Sequence, residues 1–210
     1  MAETILYIIG HEFPNITYSP FIPNLVLLFL HFANQDVTLG MITSMIKNSL
    51  PVTKPWTYLP LSEDDCFLFT FVFLEILKQQ LPKLNNHICK LPGAHENWLF
   101  FWHSVFTSCF LGYLPLPSIF HFLDCFCLEG VKIFYRFGIA ILKVLERPLM
   151  ETHSFLIVIK TILTYLSTCQ LGTFEDLLHL SFTLKIDRAQ IQTLRFFFFF
   201  DFFFFFSFLF

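Results

Sequence analysis

Apolar residues recur along most of the chain at intervals of three and four positions, which is the period of a helix. No segment keeps the alternation that is typical of a strand. Ser62, followed by three acids, has the pattern of an N-cap and predicts a helix from Glu63 to about Gln80, where Pro82 prevents continuation. Similar signals predict helices over residues 23–34, 36–47, 83–90, 94–112, 117–130, 131–147 and 152–168, and two that begin near residues 173 and 187. The pattern therefore predicts an all-α fold, with residues 1–10 unassigned and a loop over residues 48–60.

The stretch from Leu123 to Leu145 is the part around which we expect the domain to be organised. It contains an apolar run, then Glu129-Gly130, then a helix ended by Pro148. At about 100° per residue, the four cations of that helix fall within a stripe roughly 60° wide. These cations are Lys132, Arg136, Lys143 and Arg147.

Two interpretations of this cationic stripe are open from the residues alone. The helix can be a core element whose long cations reach solvent. Alternatively, the stripe is a basic edge that holds an anion. Glu129 lies three residues before Lys132, so the two side chains are placed to form an ion pair in either case.

The same stretch resembles the late part of a TBC domain, the all-helical module of Rab GTPase-activating proteins. The family pattern is close to W-D-x-F-L-x-E-G-x-x-x-L-F-R, and the corresponding pairs here are Leu123-Asp124, Phe126-Cys127, Glu129-Gly130 and Tyr135-Arg136. The segment H-E-F-P-N-I-T-Y-S-P-F-I-P, from His11 to Pro23, is similar to the Skywalker branch of the family, in which a TBC domain precedes a TLDc domain. The resemblance implies three parts: residues 1–10 unassigned, a partial TBC-like helical domain over 11–195, and a tail over 196–210.

The resemblance also implies a function and a ligand. A Skywalker-type domain is expected to regulate vesicle traffic, through a small GTPase of the Rab or Arf type and through phosphoinositide membranes. We therefore expect a cytoplasmic protein that is peripheral on vesicles or the plasma membrane. The family motif carries the headgroup-binding role onto Arg136, and Lys132 is its neighbour on the stripe. No cofactor or metal is expected.

Catalysis of GTP hydrolysis is not expected from this sequence. A catalytic TBC domain has an arginine finger in I-x-x-D-x-x-R and a glutamine in Y-x-Q, and such a finger accelerates hydrolysis by roughly 10³–10⁵-fold. No Asp here is followed by Arg three residues later, and no Tyr by Gln two residues later. We expect the early helices with the first motif to be missing before His11, and the Skywalker branch is not expected to keep the finger. The resemblance thus predicts a pseudo-GAP that is not an enzyme.

Composition excludes some classes of protein and raises an alternative. The net charge is -3, and no basic cluster is interleaved with aromatic residues, so nucleic acid is not an expected partner. Six cysteines without a C-x-x-C pair predict neither a zinc site nor a disulfide framework. Because 55% of the 210 residues are hydrophobic, a small polytopic membrane protein is the alternative. The best candidate span, residues 99–123, is interrupted by Gly112, Pro115 and Pro117, which favours buried helices.

The last fifteen residues have a composition unlike the rest of the chain. They contain twelve of the 32 phenylalanines and no amphipathic pattern, so in water they are expected to aggregate or to bind apolar surfaces. We interpret them as translated low-complexity sequence that replaces the natural continuation of the domain. A truncated product that does not fold stably is therefore a third possibility.

Overall fold

Helices are the sole regular elements in the part of the chain that the structure describes. This structure, a computed structural model, describes residues 1–50 and 58–207, apart from the side chains of residues 95, 96 and 199–207. The all-α prediction is confirmed. The helices are α1 (Ala2–Glu12), α2 (Phe21–Phe29), α3 (Gln35–Ser49), α4 (Glu63–Gln80), α5 (Pro82–Cys89), α6 (His95–Thr107), α7 (Leu116–Glu129), α8 (Lys132–Val144), α9 (Glu146–Met150), α10 (Phe155–Ser167), α11 (Leu171–Thr183) and α12 (Arg188–Ser207).

Helix α8 lies at the centre of the packing. Nine of its thirteen residues are buried, and it contacts α4, α7, α9 and α11. The ring of Phe134 packs edge-on against Phe122 and Phe21, with centroids 4.9 and 5.7 Å apart. The hydroxyl of the buried Tyr135 donates to the Phe69 carbonyl at 3.0 Å, so its polar atom is satisfied inside the aromatic core. The core thus fixes the rotation of α8 and leaves its polar edge at the surface.

Side-chain caps determine where helices α3 and α4 begin. The Ser62 hydroxyl accepts from the Asp65 backbone N–H at 3.1 Å, and α4 has the predicted bounds. The helix predicted over residues 36–47 begins one residue earlier, at Gln35, because the Asn34 side chain accepts from the Val37 N–H at 3.0 Å and caps it.

Two helix ends differ from the prediction because of local backbone geometry. The helix predicted over residues 94–112 ends at Thr107, and Cys109 and Phe110 follow with φ of 53° and 61°. The helix predicted over residues 131–147 is divided at Leu145 into α8 and α9. Pro148 does not end it, because it lies in the first turn of α9, where a backbone N–H has no acceptor within the helix.

Residues 1–10, the start of α11 and the loop after α3 are further segments for which the sequence makes a prediction. The unassigned residues 1–10 form most of α1, which buries Ile5 and Ile9. The helix predicted to begin near residue 173 starts at Leu171, so Gly172 is the second residue of α11. The loop predicted over residues 48–60 falls largely on residues 51–57, outside the described residues.

Helix α12 connects the domain to the phenylalanine-rich tail. Its predicted N-cap is confirmed, since the Asp187 carboxylate accepts from the Gln190 N–H at 2.7 Å. Arg195 pairs with Asp65 of α4 at 3.1 Å. Phe196, the next residue, is 67% exposed. Most of the predicted tail lies outside the described side chains.

The membrane-protein alternative requires a helix that can cross a bilayer. Among the described residues, no single helix combines the length and apolar composition needed to cross a bilayer. The pair α10 and α11 passes that test together, but the two helices meet at 113°.

Candidate functional site

The turn between α7 and α8 positions the candidate site. Glu129 is the last residue of α7, and Gly130 follows with φ 64° and ψ −150°. This backbone region is open essentially to glycine alone, because a Cβ atom would clash there. The chain therefore reverses within two residues, and Glu129 lies beside the first turns of α8.

Glu129 forms ion pairs with Lys132 and Arg136, the two residues that the sequence predicts as headgroup ligands. Its Oε2 atom accepts from Lys132 Nζ at 2.5 Å and from Arg136 Nη1 at 3.0 Å. The side chains are 28%, 18% and 14% exposed for Glu129, Lys132 and Arg136, so the group is partly buried and reaches the surface. The predicted pairing of Glu129 with Lys132 is therefore present, and Arg136 shares the same carboxylate oxygen.

Arg136 keeps unused donors beside an aromatic ring. Its guanidinium carbon lies 5.8 Å from the centroid of the Phe182 ring on α11. Its Nε atom is buried and has no hydrogen-bond partner among the residues that the structure describes. A guanidinium has five N–H donors in a planar fork, and the pair with Glu129 uses one of them. The group can therefore donate to a second anion without leaving its position.

A third cation, from a distant part of the sequence, contacts the backbone of Glu129. Arg188, at the start of α12, donates through Nη2 to the backbone carbonyl of Glu129 at 3.2 Å. We call Glu129, Lys132, Arg136 and Arg188 the Glu129 cluster. Three positive side chains and one negative side chain give it an excess of two positive charges.

The other two cations of the predicted stripe lie elsewhere. Lys143 is exposed near the end of α8, and Arg147 is 92% exposed on α9, where it pairs with Glu151 at 3.5 Å. The stripe is thus divided at Leu145. Sequence reasoning missed Arg188 and Phe182, since neither is periodic with α8 and no motif includes them.

Other reactive side chains do not assemble into a second site in the described part of the chain. The described residues contain no group of three or more His, Cys, Asp or Glu side chains that could hold a metal ion. Burial raises the pKa of Cys66 to about 12, with Asp65 and Glu63 acting in the same direction, so this thiol stays protonated. Burial lowers the pKa of His103, whose ring stacks on Phe67 at 4.4 Å.

A sequence model of the Rab-GTPase-TBC domain matches residues 1–150. This chain belongs to the Rab-GTPase-TBC domain family. Over 208 residues it is 24% identical to TBC1 domain family member 24 of Xenopus laevis, covering 92% of this chain and 34% of that protein. Over 161 residues it is 22% identical to GTPase-activating protein skywalker of Drosophila melanogaster, covering 74% of this chain and 25% of that protein. This chain therefore spans about a third or less of the length of these relatives.

A solved structure confirms the family fold. The TBC domain of Skywalker from Drosophila melanogaster, crystallised in complex with inositol(1,4,5)triphosphate, matches with a TM-score of 0.75 at 18% sequence identity. The match covers 91% of this TBC chain and 67% of the solved chain, so this chain corresponds to part of that domain. The predicted resemblance to the Skywalker type is thus confirmed for the fold and for the family.

Proposed function

We propose that this TBC-like domain regulates vesicle traffic by binding phosphoinositide membranes at the Glu129 cluster and by associating with a small GTPase. Family membership and the Skywalker relatives support the role in traffic. We place the protein in the cytoplasm, peripheral on vesicles or the plasma membrane, and we take the GTPase to be of the Rab or Arf type.

The observation that carries the proposed ligand is the excess of positive charge around Glu129. Lys132 and Arg136 share one carboxylate oxygen, while Arg188 adds a third cation from α12. A phosphate group offers several acceptor oxygens and more negative charge than the carboxylate, so it can replace Glu129 on both cations. An arginine fork matches phosphate oxygens, and a lysine adds a mobile charge.

The ligand class also has support from the structural neighbour. The Skywalker TBC domain was crystallised with inositol(1,4,5)triphosphate, a phosphorylated inositol of the kind found in lipid headgroups. In this chain the Arg136 side chain is 14% exposed, so part of its guanidinium is open to a headgroup. We propose Arg136 as the principal ligand and Lys132 as its neighbour.

The proposed association with a GTPase does not include catalysis. The 210 residues contain neither I-x-x-D-x-x-R nor Y-x-Q, the two motifs that supply the finger and the glutamine in catalytic relatives. In single-turnover assays with Rab and Arf proteins, we therefore expect the chain to leave the GTP hydrolysis rate unchanged. Acceleration approaching the roughly 10³–10⁵-fold effect of an arginine finger would overturn this part of the proposal.

Replacement of Arg136 tests phosphoinositide binding. Arg136→Ala removes a charge-assisted hydrogen-bond donor, so its affinity for phosphoinositide vesicles is expected to fall roughly tenfold or more. Vesicle flotation is the suitable measurement, because aggregated protein sediments and does not float. Arg147→Ala is the matched control, since Arg147 is 92% exposed on α9 and takes no part in the described contacts of the Glu129 cluster. Equal binding by Arg136→Ala and the parent would remove the proposed role.

A further inference from the structure

Two exposed apolar side chains lie next to the Glu129 cluster. Leu128 directly precedes Glu129 at the end of α7 and is 82% exposed. Phe182 on α11 is 44% exposed, and its ring lies 5.8 Å from the guanidinium carbon of Arg136. We call Leu128 and Phe182 the apolar rim of the cluster.

Leu128 is not needed to hold α7 in place. Helix α7 buries Phe122 and Phe126 against the core, and α11 buries Phe174 and Leu177. The exposed Leu128 therefore contributes little to folding. A single exposed leucine is common on protein surfaces, so its exposure alone indicates no partner. Its position beside an excess of cations supplies the second observation.

A lipid surface is the partner that fits both features. A phosphoinositide headgroup carries its negative charge at the membrane interface, with acyl chains directly beneath it. Apolar and aromatic side chains that flank a bound headgroup would meet the boundary between headgroups and acyl chains, where such residues are stabilised. A free inositol phosphate offers the charge without the apolar region.

We propose that Leu128 and Phe182 insert into the bilayer interface when the Glu129 cluster holds a phosphoinositide headgroup. This inference rests on the proposed function and adds the form of the ligand: a lipid in a membrane, bound more tightly than the soluble headgroup. Phe182 has two roles here, since its ring also packs against Arg136, whereas Leu128 touches lipid alone.

Leu128→Ser separates insertion from headgroup binding. The full chain is measured by flotation with phosphatidylcholine vesicles, with and without phosphatidylinositol bisphosphate, and by calorimetry with soluble inositol trisphosphate. Loss of one inserted leucine should weaken binding to phosphoinositide vesicles roughly fivefold to tenfold, because its apolar area is no longer transferred from water. The affinity for soluble inositol trisphosphate should stay unchanged. Leu156→Ser is the matched control, because Leu156 is 76% exposed on α10 and takes no part in the described contacts of the cluster.

The outcomes distinguish this inference from the function on which it rests. Unchanged vesicle binding by Leu128→Ser, or an equal loss for vesicles and soluble headgroup, overturns insertion while phosphate binding remains. A parent that binds soluble inositol trisphosphate but not phosphoinositide vesicles also overturns insertion. A parent that binds neither ligand overturns the proposed function as well. Circular dichroism on each variant verifies that the fold is retained.

Discussion

Glu129 is an acid inside a group of cations, and its charge opposes the ligand that we propose. The carboxylate lies within hydrogen-bond distance of Lys132 and Arg136, so it competes with a bound phosphate for both cations. Partly exposed ion pairs are worth about 0.2–1 kcal/mol each, and two of them amount to roughly a tenfold change in affinity.

Glu129→Gln should therefore bind inositol trisphosphate roughly tenfold more tightly than the parent at low ionic strength. The gain should shrink as salt is added, since screening weakens the interactions of partly exposed charges. Isothermal titration calorimetry at low and at high salt measures both effects. Glu151→Gln is the control, because Glu151 pairs with Arg147 at 3.5 Å on α9. A lower affinity of Glu129→Gln would mean that the carboxylate positions the cations and does not compete for them.

The residues of the site differ in how far the sequence predicts them. Lys132 and Arg136 are four positions apart, so the sequence places them on one side of α8. Glu129 belongs to α7, and the turn at Gly130 brings it beside them. Arg188 and Phe182 come from α12 and α11, so their approach depends on how those helices pack against α7 and α8. Tertiary packing of this kind leaves no period in the sequence.

At the scale of elements, α8 packs tightly against α4 and α6 at Gly138. A Cβ atom added there would lie 2.7 Å from Phe73 Cε2 and 3.3 Å from Phe106 Cζ. Both rings are fully buried, and their centroids are 4.9 Å apart in an edge-on pair. The ring of Phe73 is also held against Trp102 at 4.7 Å, so it has little freedom to withdraw.

Gly138→Ala should therefore destabilise the domain by about 1 kcal/mol. Overpacking a core costs about 1–3 kcal/mol, and the better helix propensity of alanine offsets about 1 kcal/mol of that. Gly40→Ala is the matched control on α3, where an added Cβ meets nothing within 4 Å, and there the unfolding free energy should rise by about 0.5–1 kcal/mol. Urea unfolding curves give both values. A stabilised Gly138→Ala would show that α8 is less tightly packed than described.

The helix ends differ in whether local sequence signals are sufficient to predict them. Ser62 and Asp187 cap their helices as the sequence predicts, because an N-cap is satisfied by backbone groups two or three residues away. The end of α6 was not predicted, since the positive φ of Cys109 and Phe110 belongs to two buried residues. Pro148 was misinterpreted as a stop because the break at Leu145 makes it part of a new first turn.

On the scale of the whole molecule, α12 connects the cluster, the core and the tail. Its first residue, Arg188, donates to Glu129, and Arg195 pairs with Asp65 at the start of α4. Gln190 donates to Gln79 at 2.9 Å, near the end of α4. The helix is thus attached to the domain along its first two turns. Helix α12 continues past Arg195 to Ser207, so the first phenylalanines of the tail extend the same helix. We propose that the domain extends through Arg195 and that the phenylalanine-rich residues after it are low-complexity sequence.

The membrane role proposed for the whole molecule has a different physical basis from the hydrophobic composition. Buried apolar residues of all kinds account for much of that composition, and Phe21, Phe69, Phe73, Phe106 and Phe134 are among those that are completely buried. Contact with lipid is assigned to the Glu129 cluster and its apolar rim, which occupy one small area of the surface. We therefore propose that the protein binds a membrane through a charged site and not through its hydrophobic composition.

Isothermal titration calorimetry of inositol trisphosphate with the parent and with Arg136→Ala measures whether Arg136 binds a phosphorylated headgroup. Our account predicts that the parent binds one molecule of inositol trisphosphate, and that Arg136→Ala binds it roughly tenfold or more weakly while Arg147→Ala is unchanged. A parent without measurable binding, or an Arg136→Ala variant with the affinity of the parent, would contradict the account.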